Sequence, residues 1–352
     1  MKPLLFLLEK ESGTLGDQKP FSILAIIAAS VSPFPVTLYC NGFNSKPPFM
    51  SAIKRFAQFV MGPNASHHFK IEYGVKNRDE LWTHLSQNYC IIDNYDFDFG
   101  ASVERAKNRF KTKLFPYRAK ILENGDWTMV PANTRHFFGP VLLPMVDGSP
   151  FWSKPKIVNK LIQFKDQHKY RKIITIAGSL RPPFPMNEIS EWLDNNKNQK
   201  LWAFIILDVY NSNYFDDPNV LLLDYVEFED LVRFSDVFIG NCGAGSTMTA
   251  MSEAMVQTCR ISNSVGADKP FNQQVITNLG PIESSFHDFM VNLRENFNYF
   301  EVNAIKVKYI IREEVKQMIR NMHEFFGKLA TDARLQEQFT KTRLIPTIYA
   351  LE

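Results

Sequence analysis

The sequence predicts an α/β protein of two domains, each built on a parallel sheet. Three observations carry this reading. Short, mainly apolar runs such as Leu4–Leu8 and Ile173–Ala177 have the length and composition of strands buried in a sheet. Amphipathic segments of helical spacing lie between such runs, so strand and helix alternate along the chain. A stretch dense in proline and glycine, Phe138–Pro155, interrupts the alternation and marks a domain border.

The N-terminal domain is expected over residues 1–150. It opens with strand Leu4–Leu8 and a loop, Glu9–Lys19. A helix follows from Pro20, because proline suits the first helical turn and Phe21, Leu24, Ala25 and Ala28 then share one face. Pro33 and Pro35 end that helix, and Val36–Cys40 reads as the second strand. Helices near Phe49–Phe59 and Arg78–Leu85 come next, then strand Tyr89–Ile92. A helix near Val103–Lys113 and a strand at Trp127–Val130 complete this half.

The second domain, residues 156–300, has strands Ile173–Ala177, Trp202–Asp208, Val220–Leu223 and Val237–Gly240. Helical segments Glu188–Asn195 and Phe228–Phe234 fall between them. Residues 301–352 form a C-terminal helical segment and tail. Ile311, Val315, Met318, Met322, Phe325 and Leu329 recur in steps of three or four, so they share a face and pack on the body. Arg312, Lys316, Arg320 and Glu324 fall on the more exposed side. Beyond Lys341 a tail is held by Leu344, Ile345 and Tyr349.

A chain of 352 residues, 45% hydrophobic and 22% charged, can bury two cores and is not a disordered composition. Its net charge of +3 is spread among acidic residues, so no nucleic-acid partner is expected. The apolar run Leu4–Leu8 ends in Glu9-Lys10-Glu11, which reads as a buried strand and not a secretory leader. No run approaches bilayer length, so no transmembrane anchor is expected. Cys40, Cys90, Cys242 and Cys259 lack metal-ligand spacing; reduced thiols and a cytoplasmic location follow, with no metal.

The densest chemical signal runs from Gly240 to Lys269. An apolar strand ends at Gly240, and Asn241-Cys242-Gly243-Ala244-Gly245-Ser246-Thr247 forms a glycine turn leading into a helix. Gly243 and Gly245 clear space for an anion, Ser246 and Thr247 can cap the helix, and the helix N-terminus favours negative charge. Glu253 lies about two turns further on, and Asp268-Lys269 stand in an acidic loop after a short strand at Cys259–Asn263. The pattern is neither a P-loop nor the dinucleotide fingerprint.

Four pieces in order resemble the two-domain nucleotide-sugar glycosyltransferases, especially the branch acting on sterols and glycopeptide aglycones. Gly13-Thr-Leu-Gly-Asp-Gln-Lys-Pro-Phe21 resembles the family's first loop. Gly178-Ser179 matches the end of the first donor-domain strand, and Asp224–Val232 resembles the segment that holds the donor base. Cys242–Thr247 through Ala267–Phe271 resembles the diphosphate and sugar motifs.

The resemblance implies a GT-B-like architecture: two Rossmann-like domains facing across a cleft, with a C-terminal helix packed on the body. It also implies inverting, metal-independent transfer from a UDP-sugar, with UDP-glucose the expected donor and a small hydroxylated molecule or lipid the acceptor. Asp17 maps onto the aspartate proposed as general base; at its reference pKa of about 3.9 it needs burial to become effective. Ser179, Gly243, Ala244, Gly245, Ser246 and Thr247 would hold the diphosphate, and Val226 would sit beside the base. Glu253 would bind the ribose, and Asp268 with Lys269 the sugar. Asn241 stands where the family commonly has histidine beside the diphosphate. That departure supports an alternative: a catalytically inactive relative kept for nucleotide binding, regulation or assembly.

Overall fold

The computed structural model describes residues 1–10, 15–43, 46–74, 77–93, 117–121, 127–131, 149–177, 184–197, 199–207, 217–241, 243–259, 273, 276–283 and 285–342. The chain forms two compact units: Met1–Tyr117, Pro131–Leu143 and Glu313–Glu352 make the first, and Arg118–Val130 with Pro144–Arg312 the second. Both are α/β, as the alternation of elements predicts.

The first unit holds a sheet of four parallel strands in the order β3-β2-β1-β4. Its strands are β1 (Leu4–Glu9), β2 (Val36–Asn41), β3 (Phe69–Gly74) and β4 (Cys90–Asp93). Every residue of β1 and β2 is buried, which is why both read as continuous runs. Sequence spacing does not announce the edge strand β3: its apolar members, Phe69, Ile71 and Tyr73, are only three and follow a single helical turn, Ala65–His68. A Cβ at Gly74, the last residue of β3, would lie 1.9 Å from the Tyr39 hydroxyl, so glycine there leaves room for that side chain.

Helix α1 (Leu15–Val31) starts five residues before Pro20, so the expected loop is shorter than Glu9–Lys19. Its early turn is tethered by the Gln18 amide donating to Lys10 O at 3.1 Å and the Ser22 hydroxyl donating to Gln18 O at 2.9 Å. These contacts outweigh the local preference for proline at a helix start. Helices α2 (Met50–Met61) and α4 (Arg78–Ser86) stand where expected, with the short turn Ala65–His68 as α3. The helix expected at Val103–Lys113 lies outside the described residues. Strands β5 (Tyr117–Ile121) and β6 (Trp127–Pro131) pair as a two-stranded sheet.

The second unit carries five parallel strands in the order β11-β10-β7-β8-β9. They are β7 (Lys172–Ala177), β8 (Trp202–Leu207), β9 (Val220–Leu223), β10 (Val237–Gly240) and β11 (Val256–Cys259). Side chains alternate between two cores. Ile174, Ile176, Phe204 and Ile206 pack with Phe286, Phe289 and Leu293, while Ile173, Ala203 and Ile205 pack with Leu161 and Phe164. The chain has 30 phenylalanines, and several fill this core: Phe184 meets Phe286 edge-on at 5.3 Å and Trp192 meets both Phe204 and Phe286.

Helices α5 (Pro155–Gln167), α6 (Met186–Asn195), α7 (Phe228–Leu231) and α8 (Ala244–Ser252) surround this sheet. Helix α9 (Phe286–Thr331) is far longer than the C-terminal periodicity suggests, at 46 residues, and α10 (Ala333–Thr342) follows it. Ile311, Met322, Phe325 and Leu329 are buried as expected; the side chains of Val315 and Met318 lie outside the described residues. In the first unit Phe326 packs on Phe6 at 5.6 Å, and Gln336 brackets Lys2 by accepting its N–H at 2.9 Å and donating to its carbonyl at 2.8 Å.

Asp230, fully buried, fastens the segment entering the second unit. Its carboxylate accepts the Trp152 N–H at 2.8 Å and the Ser153 N–H, while Ser153 Oγ accepts the Glu227 N–H at 2.9 Å. Arg233 adds bonds to Ser149 O and Oγ at 3.1 and 2.8 Å. Replacing Asp230 with Ala strands two buried N–H groups and is expected to cost more than about 3 kcal/mol in urea unfolding. A wild-type unfolding midpoint would contradict this anchoring role.

Candidate functional site

Strand order reverses beside β7: the chain proceeds through β8 and β9 on one side, then returns to β10 on the other. The carboxyl ends of β7 and β10 therefore flank a topological switch point, where open parallel sheets bind ligands. Strand β7 ends at Ala177, directly before Gly178-Ser179, and β10 ends at Gly240, directly before Asn241. Ser179 itself lies outside the described residues. Gly240 is needed for packing, because a Cβ there would lie 2.4 Å from the Phe238 ring.

The helix after the glycine turn begins earlier than the sequence suggests. Gly243 is its N-cap, with extended backbone (φ −69°, ψ 133°), and Ala244 is the first helical residue. Ser246 and Thr247 are thus third and fourth in α8 and do not cap it. Helix geometry leaves the N–H groups of Ala244, Gly245 and Ser246 without intrahelical partners, whereas Thr247 N–H donates to Gly243 O at 3.0 Å. Ser246 Oγ donates to the same carbonyl at 3.0 Å, so its proton is already used.

Thr247 differs. It is fully buried, and among the described residues its hydroxyl has no hydrogen-bond partner. A buried hydroxyl without a partner costs stability, unlike one left in water. Its position in the first turns of a helix at the switch point matches an anion's requirements: free N–H groups, a positive dipole end and a donor hydroxyl. Asn241 is also buried, at 8% exposure, and brings an amide but no charge.

Glu253 stands differently from expectation. Helix α8 ends at Ser252, and Glu253 is its C-cap. Its carboxylate accepts both contacts of one Arg312 nitrogen, at 3.2 and 3.1 Å, with Lys308 at 3.8 Å, while Arg312 Nε donates to Ser252 O at 3.0 Å. Two cations from α9 thus hold the negative end of α8 and occupy this carboxylate. Arg312 is accordingly half-buried and less free than its place on the polar face of α9 suggests.

Val226 is buried in the core with Leu223, Leu231 and Phe234, so its side chain serves packing. Next to it, Tyr225 keeps 41% of its surface exposed while donating its hydroxyl to the buried Glu227 at 3.0 Å. Burial first, then the neighbouring carboxylate charge, pushes this phenol well above its ordinary range. Tyr225 is not among the sequence-predicted site residues; the signal for it is adjacency to Val226 in the expected base segment.

In the first unit the switch point lies between β1 and β4, and α1 is the helix that follows β1. Asp17 is the third residue of α1, in its first turn; its side chain lies outside the described residues, as do Asp268 and Lys269. The short strand of the motif is β11, which begins at Val256, three residues before the expected Cys259. Cys40 and Cys90 are buried and form no disulfide with each other, and burial pushes the Cys40 thiol up to about 12. Among the described residues no three His, Cys, Asp or Glu side chains converge as metal ligands, and no helix is long and apolar enough to cross a membrane.

No protein-family model matches the sequence, and no curated protein matches it. Solved structures do. The Arabidopsis thaliana protein UGT89C1, complexed with UDP-L-rhamnose, matches at a TM-score of 0.59 and 11% identity, over 94% of this chain and 99% of that one. The Medicago truncatula protein UGT71G1, complexed with UDP-glucose, matches at 0.57 and 10% identity, over 92% and 98%. A UDP-glucose: anthocyanidin 3-O-glucosyltransferase in complex with UDP matches at 0.57 and 12% identity, over 93% and 99%. The fold is that of the GT-B glycosyltransferases. At this level of identity the likeness is one of architecture, and function must rest on the site.

The C-terminal end of α8 offers a test of local physics. Ala254 has φ 59°, a left-handed conformation, and the bonds Ala254 N→Met251 O (3.3 Å) and Met255 N→Ala250 O (3.1 Å) form a Schellman motif. Glycine suits this position. Ala254→Gly should raise stability by roughly 0.5–1 kcal/mol, as relief of about 1–2 kcal/mol of strain exceeds the added unfolded-chain entropy. Thermal unfolding checks this; a lowered midpoint would be the contrary result.

Proposed function

We propose that the protein is a UDP-sugar-dependent glycosyltransferase. It transfers the sugar with inversion and without a metal to a hydroxyl of a small-molecule or lipid acceptor. The observation that carries this reading is Thr247, whose buried hydroxyl lacks a partner among the described residues at the start of α8. A diphosphate oxygen supplies that partner and accepts from the first-turn N–H groups as well. The GT-B fold makes a nucleotide sugar the natural bearer of the diphosphate.

Charge on the leaving diphosphate grows as the glycosidic bond breaks. The N–H groups of Ala244, Gly245 and Ser246, with the Thr247 hydroxyl, are aimed before the reaction, so they stabilise that charge without reorganising. Ser179 is assigned to the same diphosphate, and Asn241 contributes a neutral amide. The donor base is placed beside the Tyr225–Val226 backbone. Asp268 and Lys269 are assigned to the transferred sugar, taken as glucose. Asp17 is the proposed base that removes the acceptor proton. Glu253 is left out of the donor set, because Arg312 and Lys308 already engage its carboxylate. The sterol and glycopeptide branch is the best guide to acceptor class, resting on the motif from Cys242 to Phe271.

The neutral Asn241 favours a second reading, in which the protein binds a nucleotide sugar without turning it over. Calorimetry with UDP and a panel of UDP-sugars, followed by turnover assays with hydroxylated acceptors, separates the two. Absence of binding to every nucleotide by the folded protein would overturn both.

Two substitutions sharpen the site. Thr247→Val removes an unsatisfied hydroxyl at nearly constant volume, so folding stability should hold or rise, while UDP affinity should fall about fivefold or more. Unchanged UDP affinity would remove Thr247 from the site. Asp17→Asn should abolish transfer while leaving donor affinity within about twofold, since only the base is lost; equal loss of UDP binding would make Asp17 a structural or donor-binding residue.

A further inference from the structure

Two neighbouring turns at the amino edge of the second unit's sheet repeat one chemical arrangement. The turn His168–Arg171 leads from α5 into β7 and presents Lys169-Tyr170; the turn from Asn196 to Leu201 leads from α6 into β8 and presents Lys200-Leu201. They are adjacent, because Lys172 pairs with Trp202 and its N–H donates to Leu201 O at 2.9 Å. Tyr170 is 88% exposed and Leu201 53%. A lone exposed apolar residue needs no explanation. Two lysine–apolar pairs side by side do.

Looseness does not account for this exposure. Arg171 N–H closes its turn on His168 O at 2.8 Å, His168 is buried against Phe164 and contacts Pro218 O at 3.0 Å, and the Arg171 guanidinium donates to Asn219 Oδ1. In the second turn the Gln199 side chain accepts the N–H groups of Leu201 and Trp202 at 2.9 and 2.8 Å and donates to Trp202 O at 2.9 Å. Both turns are therefore locked by their own hydrogen bonds, with the two apolar side chains held in water.

The two turns themselves are mainly basic, while Asp217, Asp236 and Glu301 face them from neighbouring elements. Residues 165–172 and 194–201 contain six Lys or Arg and two Asp. Lys172 is engaged by Glu301 at 3.0 Å and Asp236 at 3.6 Å, and Lys197 by Asp194 at 3.1 Å. Lys169 and Lys200 have no ion pair among the described residues; the Lys169 ammonium lies 4.9 Å from the Tyr170 ring centroid.

We propose that this edge docks the protein on the surface of an anionic lipid bilayer. Tyr170 and Leu201 enter the boundary between headgroups and acyl chains, while Lys169 and Lys200 meet lipid phosphates or carboxylates. Two apolar side chains bury far less than the roughly 800 Å² per partner of a specific protein interface. A bilayer needs no such matched area, since insertion and charge add on a fluid surface. The opposite, carboxyl edge of the same parallel sheet carries the start of α8, so docking leaves the anion site open. This inference does not depend on the transferase reading.

Co-sedimentation of the full chain tests it, using vesicles of phosphatidylcholine alone or mixed equally with phosphatidylserine. Binding should occur with mixed vesicles, weaken as salt rises, and be much lower with phosphatidylcholine alone. The double variant Lys169→Glu/Lys200→Glu should lose about tenfold or more in partitioning. Tyr170→Ser/Leu201→Ser should fall comparably while thermal unfolding stays unchanged, because all four side chains are surface groups. Equal binding to the two vesicle types, no binding to either, or wild-type partitioning by both double variants would overturn the proposal.

Discussion

Because all five strands of the second unit run parallel, each must be reached by a crossover, and all end at one edge. That constraint gathers the turns after β7 and β10 at the same place and starts α8 there. It also buries both faces of the sheet, leaving strands such as β8 without polar alternation. The sheet is thus both the core and the device that aims a helix N-terminus. The opposite edge collects the turns leading into β7 and β8, which places Tyr170 beside Leu201. Binding groups and surface groups occupy different ends for the same geometric reason.

Buried polar groups in this unit divide into two kinds. Asp230 has its backbone N–H partners in place and holds the segment that enters the unit. The partly buried Glu253 is likewise engaged, by Arg312, and fixes the end of α8. Thr247 is the opposite case, a buried hydroxyl held without a partner by the packing of α8 on the sheet. Satisfied groups give the scaffold its rigidity, and Thr247 is an unsatisfied one that lies at the switch point. The physical distinction is whether the fold itself supplies the missing hydrogen bond.

The motif was legible in the residues from Gly240 to Thr247, because glycine, hydroxyl and helix-start signals are local. Where the helix begins was less legible: Gly243 has no side chain to announce a cap, and Ser246 looks like one. The setting of Glu253 was less legible for a related reason. Its distance from Ser246 suggests a helical face, but the helix ends first, and its partner Arg312 lies 59 residues away in sequence. The edge strand β3 was obscured because only three of its residues are apolar, and α1 begins before Pro20 because Gln18 and Ser22 tie down its first turns.

What the sequence by itself determined was the class of fold, the strand runs and the chemistry of the glycine turn. These depend on short-range patterns: apolar runs, helical spacing and residues with special backbone freedom. Tertiary structure decided which strands are neighbours, where the switch points fall, and which polar groups find partners. It also decided that Val226 is core and Tyr170 is surface, although neither fact can be read from local spacing. The reason is physical: burial and hydrogen-bond satisfaction are properties of chain segments brought together from far apart, and local periodicity carries no record of which segments meet.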